Sequence, residues 1–165
     1  VSFFVLGLPR SRTAWLANFL TYGDLFCHHE ASNGCKSMAE YKDKIQDDGD
    51  SNTAIALFNI EEEFPDAKFI IIDSPPEKAI EYSLKTYGIE NKESILEMKA
   101  ILDNIDGLHI PVNDIDNRLE DIWNYVSSDH FNEKRAKLLS SLNIQILDPH
   151  TLDLPSLIEF THDSL

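Results

Sequence analysis

The sequence predicts a three-layer α/β domain built on a central parallel sheet of about four or five strands. Three observations carry that expectation. Apolar runs of strand length alternate with helix-length amphipathic stretches along the 165 residues. The clearest run, Phe69 to Ile72, is apolar without alternation, as a strand covered by helices on both faces requires. The first apolar run ends at a glycine and leads straight into a helical pattern. A chain of this length makes one domain, residues 1–165, with a core large enough to need no disulfide or structural metal.

Each element follows from its residues. SFFVLG, residues 2–7, reads as a buried strand. From Arg12 to about Tyr22, Trp15, Leu16, Phe19 and Leu20 recur at helical spacing, and Gly23 serves as the stop. DLFCHH is a second short strand, and residues 35–45 have helical composition. The charge-rich KDKIQDDGDSN, residues 42–52, reads as a surface loop, and TAIALFNIEEEF as a mostly buried helix ended by Pro65. AKFIIID is a buried strand, followed by a helix over Pro76–Tyr87 with proline in its first turn and Gly88 past its end. NKESILEMKAILDNI is a helix, LHIPV a strand, and DIDNRLEDIWNYV and NEKRAKLLSSL two further helices. NIQIL is the last strand, with a short helix from Leu154. Trp123 and Tyr125 are expected in the core, and Arg135 on a solvated helix face.

A formal net charge of −15 sets the sequence against nucleic-acid backbones, so any anionic ligand has to be captured by a local cluster of cations. Cys27 and Cys35 do not make a disulfide framework. The first residues read as a strand and not as a signal peptide, and no apolar run reaches membrane-spanning length, so the expectation is a cytoplasmic protein without a membrane partner.

Ligands of such sheets sit beyond the carboxyl ends of the strands, where Gly7, the His28–Glu30 segment and Asp73 all fall. Laid on the frame G-x-x-x-x-G-K-[ST], the first turn reads Gly7, Leu8, Pro9, Arg10, Ser11, Arg12, Thr13, Ala14. A strand feeding a helix through such a turn aims backbone N–H groups at one spot, and two guanidiniums add forked, charge-assisted hydrogen bonds. Thr13 stands where lysine is usual, and Ala14 offers no hydroxyl for Mg²⁺, which disfavours a kinase. The loop is therefore read as an anion site without a metal.

GLPRSRTAWL resembles the 5′-phosphosulfate loop of the sulfotransferase family, roughly G-x-P-[RK]-S-G-T-[TS]-[WL]-L. Gly7, Pro9, Arg10, Ser11, Thr13, Trp15 and Leu16 match, and Arg12 departs, which predicts an altered turn there. The resemblance implies a P-loop NTPase-like fold and metal-independent transfer of a sulfuryl group from 3′-phosphoadenosine-5′-phosphosulfate (PAPS). The donor would be held by Pro9, Arg10, Ser11, Arg12, Thr13, Ala14 and Trp15, with Arg10 also stabilising charge during transfer. It further implies a catalytic base about twenty residues on, where His29 and Glu30 lie. Two readings stand beside that one: a zinc site built from Cys27, His28, His29, Glu30 and Cys35, and a plain solvated loop.

The family also grips the donor's 3′-phosphate with an arginine and a serine after a central strand. Ser83 is placed for the serine, but Asp73 and Ser74 occupy the arginine's neighbourhood, so Lys78 or Lys85 has to substitute or the ligand differs. Asp73 itself reads either as a magnesium-holding aspartate or as a cap of the following turn, and His109 and His150 as candidates to line the pocket. The expected function is sulfuryl transfer from PAPS to a hydroxyl or amine of a small acceptor, with a homodimer as one way to complete the site. The alternative is a non-catalytic nucleotide- or anion-binding protein of the same fold.

Overall fold

The computed structural model describes residues 2–142. Five strands form one parallel sheet: β1 (Phe3–Gly7), β2 (Cys27–His29), β3 (Gly49–Asn52), β4 (Lys68–Asp73) and β5 (Leu108–Pro111), in spatial order β2-β3-β1-β4-β5. Strand alternation splits the interior into two cores. Phe3, Val5, Ile70, Ile72 and Ile110 point to one face, where α1 (Thr13–Phe19), α6 (Leu119–Val126) and α7 (Glu133–Ser140) cover them. Phe4, Leu6, Phe69 and Ile71 point to the other, beneath α2 (Met38–Ile45), α3 (Ile60–Glu63), α4 (Pro76–Tyr87) and α5 (Lys92–Asn104). The three layers expected from the sequence are thus present.

Four expectations are corrected. Residues 42–52 are no surface loop: they close α2 and then run as β3, an interior strand whose four residues are all buried. Hydropathy hid it, because Asp50, Ser51 and Asn52 are buried by bonding inward. Gly49 opens this strand because the ring of Phe3 occupies the space that a Cβ would need. The helix expected over residues 53–64 is broken by Asn59, whose φ of 52° interrupts it. A 3₁₀ turn over Ile55–Phe58 and the single turn of α3 replace it, leaving Leu57 and Phe58 exposed. The expected helix of residues 114–126 is also divided, into a 3₁₀ turn over Val112–Asn117 and α6. NIQIL and the helix from Leu154 lie outside the described residues.

The fourth correction is Arg135, which is 4% exposed and not on a solvated face. Its guanidinium donates to the carbonyls of Phe19 (2.7 Å), Asn18 (3.1 Å) and Thr21 (3.2 Å), at and just beyond the end of α1. The rings of Phe19 and Tyr22 flank it at 5.6 and 4.3 Å. Burial lowers its pKa to about 10, which leaves it charged at neutral pH. Trp123 is in the core as expected and Tyr125 packs at its margin.

Replacing Arg135 by methionine keeps much of the volume and removes every donor. The expected loss is about 2–4 kcal/mol of stability, measured by urea unfolding, because carbonyls at the end of α1 are left without their partner.

Candidate functional site

Gly7 ends β1, and residues 8–12 turn the chain into α1. A Cβ on Gly7 would come within 2.9 Å of the Ser11 Cβ, so the loop folds this tightly only with glycine there. Arg10 and Arg12 both take the left-handed conformation, with φ of 70° and 60°. That is the region glycine reaches at no steric cost. Arg12 therefore holds a backbone conformation that glycine reaches more readily.

The loop side chains then diverge. Ser11 is wholly buried, its hydroxyl 2.5 Å from that of Ser74 past the end of β4, so it anchors the loop and leaves the cavity to others. Trp15 also points inward: its indole N–H donates to the Leu139 carbonyl at 3.1 Å, and it stacks on Phe19. The Arg12 guanidinium lies 4.4 Å over the Trp15 ring and pairs with Asp116 at 3.0 Å. Arg10 lies 5.1 Å over Tyr82 of α4.

The second half of the site comes from β2 and β3. Glu30 follows β2 with φ of 54°, a left-handed conformation uncommon outside glycine and costing on the order of 1 kcal/mol. Its N–H donates to Ser51 O at 3.0 Å, and its carbonyl accepts from Asn33 N–H at 3.0 Å. Its side-chain Oε1 accepts from the Thr53 N–H at 2.9 Å. Burial pushes the Glu30 carboxyl above the usual carboxylate range, against the lowering effects of the Thr53 bond and His29.

One cavity of about 480 Å³ gathers these groups. Of the residues singled out in the sequence, Pro9, Arg10, Arg12, Thr13, Ala14, His29, Glu30 and Ser83 line it. Thr53, Tyr82 and Tyr87 line it too and were not anticipated. Thr53 lay hidden in the stretch read as a buried helix; Tyr82 was signalled only by its place beside Ser83. The cavity has two guanidiniums and an imidazole toward the loop, a carboxylate beside them, and aromatic rings on α4.

Other candidates fall elsewhere. Asp73 sits at the end of β4, 3.4 Å from His109 Nδ1 and 3.8 Å from Lys99 Nζ, and neither Asp73 nor His109 lines the cavity. Lys78 is exposed, Lys85 pairs with Glu81 at 2.6 Å, and neither reaches the cavity wall. Ser83 Oγ accepts from Asn91 Nδ2 at 2.9 Å. His150 lies outside the described residues. Cys27 is fully buried, its thiol pushed up by burial and then by Asp50 and Asp48, and His28 bonds Asp48 at 3.1 Å. Among the described residues no group of three or more His, Cys, Asp or Glu side chains is arranged to hold a metal ion, and no helix is long and apolar enough to cross a membrane.

No protein-family model matches this chain, and no curated protein matches it. Among solved structures it is similar to mouse sulfotransferase SULT7A1 in complex with PAP, with a TM-score of 0.57 and 15% sequence identity. The similarity covers 85% of this chain and 64% of that one, so this chain spans less than two thirds of its length. The fold is sulfotransferase-like: an α/β domain with a five-stranded parallel sheet between helical layers.

The raised Glu30 pKa has a sign. Its contribution to stability is greatest below the ordinary glutamate range, near pH ~4.3. That contribution is lost as pH rises through the raised folded value, because the charged form is then buried. Glu30→Gln keeps an acceptor for Thr53 and never charges. Thermal unfolding is expected to show the variant more stable than the parent at pH 8, with the gain disappearing toward pH 4.

Proposed function

We propose that the protein is a sulfotransferase-like enzyme that moves a sulfuryl group from PAPS to a hydroxyl or amine of a small acceptor. One observation carries the reading. Arg10, Arg12 and His29 converge with the partly buried carboxylate of Glu30 on a single cavity at the carboxyl ends of β1 and β2. The sulfotransferase-like fold supports it.

The residues fit the anionic end of such a donor. Arg10 and Arg12 supply guanidinium donors, and Pro9, Thr13 and Ala14 line the wall around them. Arg12 exchanges its bond with exposed Asp116 for one to the incoming anion. Glu30, with His29 beside it, takes the acceptor's proton as the acceptor oxygen or nitrogen bonds to sulfur and the bond from sulfur to the 5′-phosphate oxygen breaks. The guanidiniums then stabilise the charge that collects on the departing phosphate. Tyr82, Tyr87 and Ser83 on α4 face the remainder of the nucleotide.

A second reading, a non-catalytic nucleotide- or anion-binding protein, draws on the α4 end of the cavity. Lys78 and Lys85, the cations expected to stand in for the missing arginine, lie outside it. A charge-assisted contact missing there costs about 1.5–3 kcal/mol, or roughly ten- to a hundredfold in affinity.

Calorimetric titration of adenosine 3′,5′-bisphosphate, with ATP and magnesium as the comparison, separates the readings. The enzyme reading expects the bisphosphate to bind in the micromolar range, ATP with magnesium to bind more weakly, and Arg10→Ala to weaken the bisphosphate by ~10-fold or more. Absence of bisphosphate binding would sink it.

A further inference from the structure

We infer that Asp50, a carboxylate buried inside the sheet, is a positioning residue that holds Glu30 in its orientation toward the cavity. The inference rests on the reading of Glu30 as proton acceptor. Asp50 lies on β3, wholly buried, with donors on both oxygens. Oδ2 accepts from the Tyr41 hydroxyl at 2.7 Å and from Asn52 Nδ2 at 2.9 Å. Oδ1 accepts from the backbone N–H of Ala31, the residue after Glu30, at 3.1 Å. Three donors suit a carboxylate, which accepts only.

Through these bonds Asp50 controls both ends of the Glu30 side chain's support. The Ala31 bond pins the chain just beyond the left-handed Glu30, and Lys44 Nζ holds the Ala31 carbonyl at 2.7 Å. The Asn52 bond orients an amide whose oxygen accepts from the N–H groups of Ala54 and Ile55 at 2.8 and 2.9 Å. That fixes the turn from which Thr53 N–H reaches Glu30. An apolar residue at position 50 would fill the sheet and release both supports. Tyr41 completes the device from α2: burial, then the Asp50 charge, push its phenol well above the usual range, so it stays a donor.

Asp50 also acts on Glu30 through space, its negative charge disfavouring a second one nearby. The other groups acting on Glu30 are His29 on β2, whose effect opposes that of Asp50, and the Thr53 N–H from the turn after β3; Arg10, Arg12, Tyr82 and Tyr87 line the same cavity. A structural role alone would not set Glu30's titration, and that difference is measurable.

The test is carbon-13 NMR titration of the glutamate carboxyls, with the Glu30 signal assigned by its loss in Glu30→Gln. Asp50→Asn, which removes the buried charge, is expected to lower the Glu30 midpoint toward the ordinary carboxylate range; Tyr41→Phe, which keeps that charge, is expected not to lower it. Both should speed hydrogen exchange at the Ala31 amide by about tenfold or more. Should Asp50→Asn not fold, Tyr41→Phe decides through the Ala31 exchange rate, since it keeps the carboxylate and removes one of the donors that fix it. A folded Asp50→Asn whose Glu30 midpoint does not move, or a folded Tyr41→Phe whose Ala31 exchange does not change, overturns the inference, even if the sheet is weakened. The bisphosphate titration is run on the same proteins. A shifted Glu30 midpoint without nucleotide binding supports the positioning role and removes the transferase reading; binding with an unmoved midpoint does the reverse.

Discussion

The site depends on one constraint: a strand with no apolar side chain has to be buried in the middle of a sheet. β3 lies between β1 and β2, and an unsatisfied polar group there would cost about 1–3 kcal/mol. Every polar side chain on it is therefore committed. Ser51 donates to the Thr13 carbonyl in the first turn of α1 at 2.7 Å, Asp50 takes the Ala31 N–H, and Asn52 shapes the turn that carries Thr53. Hydrophobic packing fills space without direction, whereas hydrogen bonds of defined geometry specify one arrangement. β3 thus sets the cationic loop of β1 against the carboxylate that follows β2.

This is also why the strand was illegible in the sequence. Asp48 to Asn52 reads as polar and turn-forming, and only the three-dimensional partners show that its polarity is inward. The apolar strands β1 and β4 and the glycine-led turn at Gly7 were legible, because each is encoded locally by runs and spacing. Arg135 failed to be recognised for the same reason as β3: its partners, the carbonyls at the end of α1, lie far away along the chain. In the candidate site, the glycine-led loop with Arg10 and Arg12 and the His29–Glu30 pair were visible as motifs. Thr53 and Tyr82 were not, since they reach the cavity through tertiary placement alone.

Charge is what the proposed site has to work against. The chain carries a net charge of −15, so its long-range field opposes any anion. In the proposed reading, Arg10 and Arg12 act against that field only at close range, where they line the cavity. Asp116 holds Arg12 meanwhile and keeps the guanidinium aimed along the Trp15 ring. An anion with several oxygens replaces that single exposed carboxylate more effectively than a monovalent one.

The bond from Arg135 to the end of α1 joins residues 116 positions apart. On a ribosome adding ~5–20 residues each second, α1 emerges roughly 6–20 s before the guanidinium that closes it exists. For that interval α1 is a short segment whose end has its backbone bonds but lacks the Arg135 donors. Nascent protein stopped short of α7 lacks the donor that closes the helix behind the loop proposed to bind the anion.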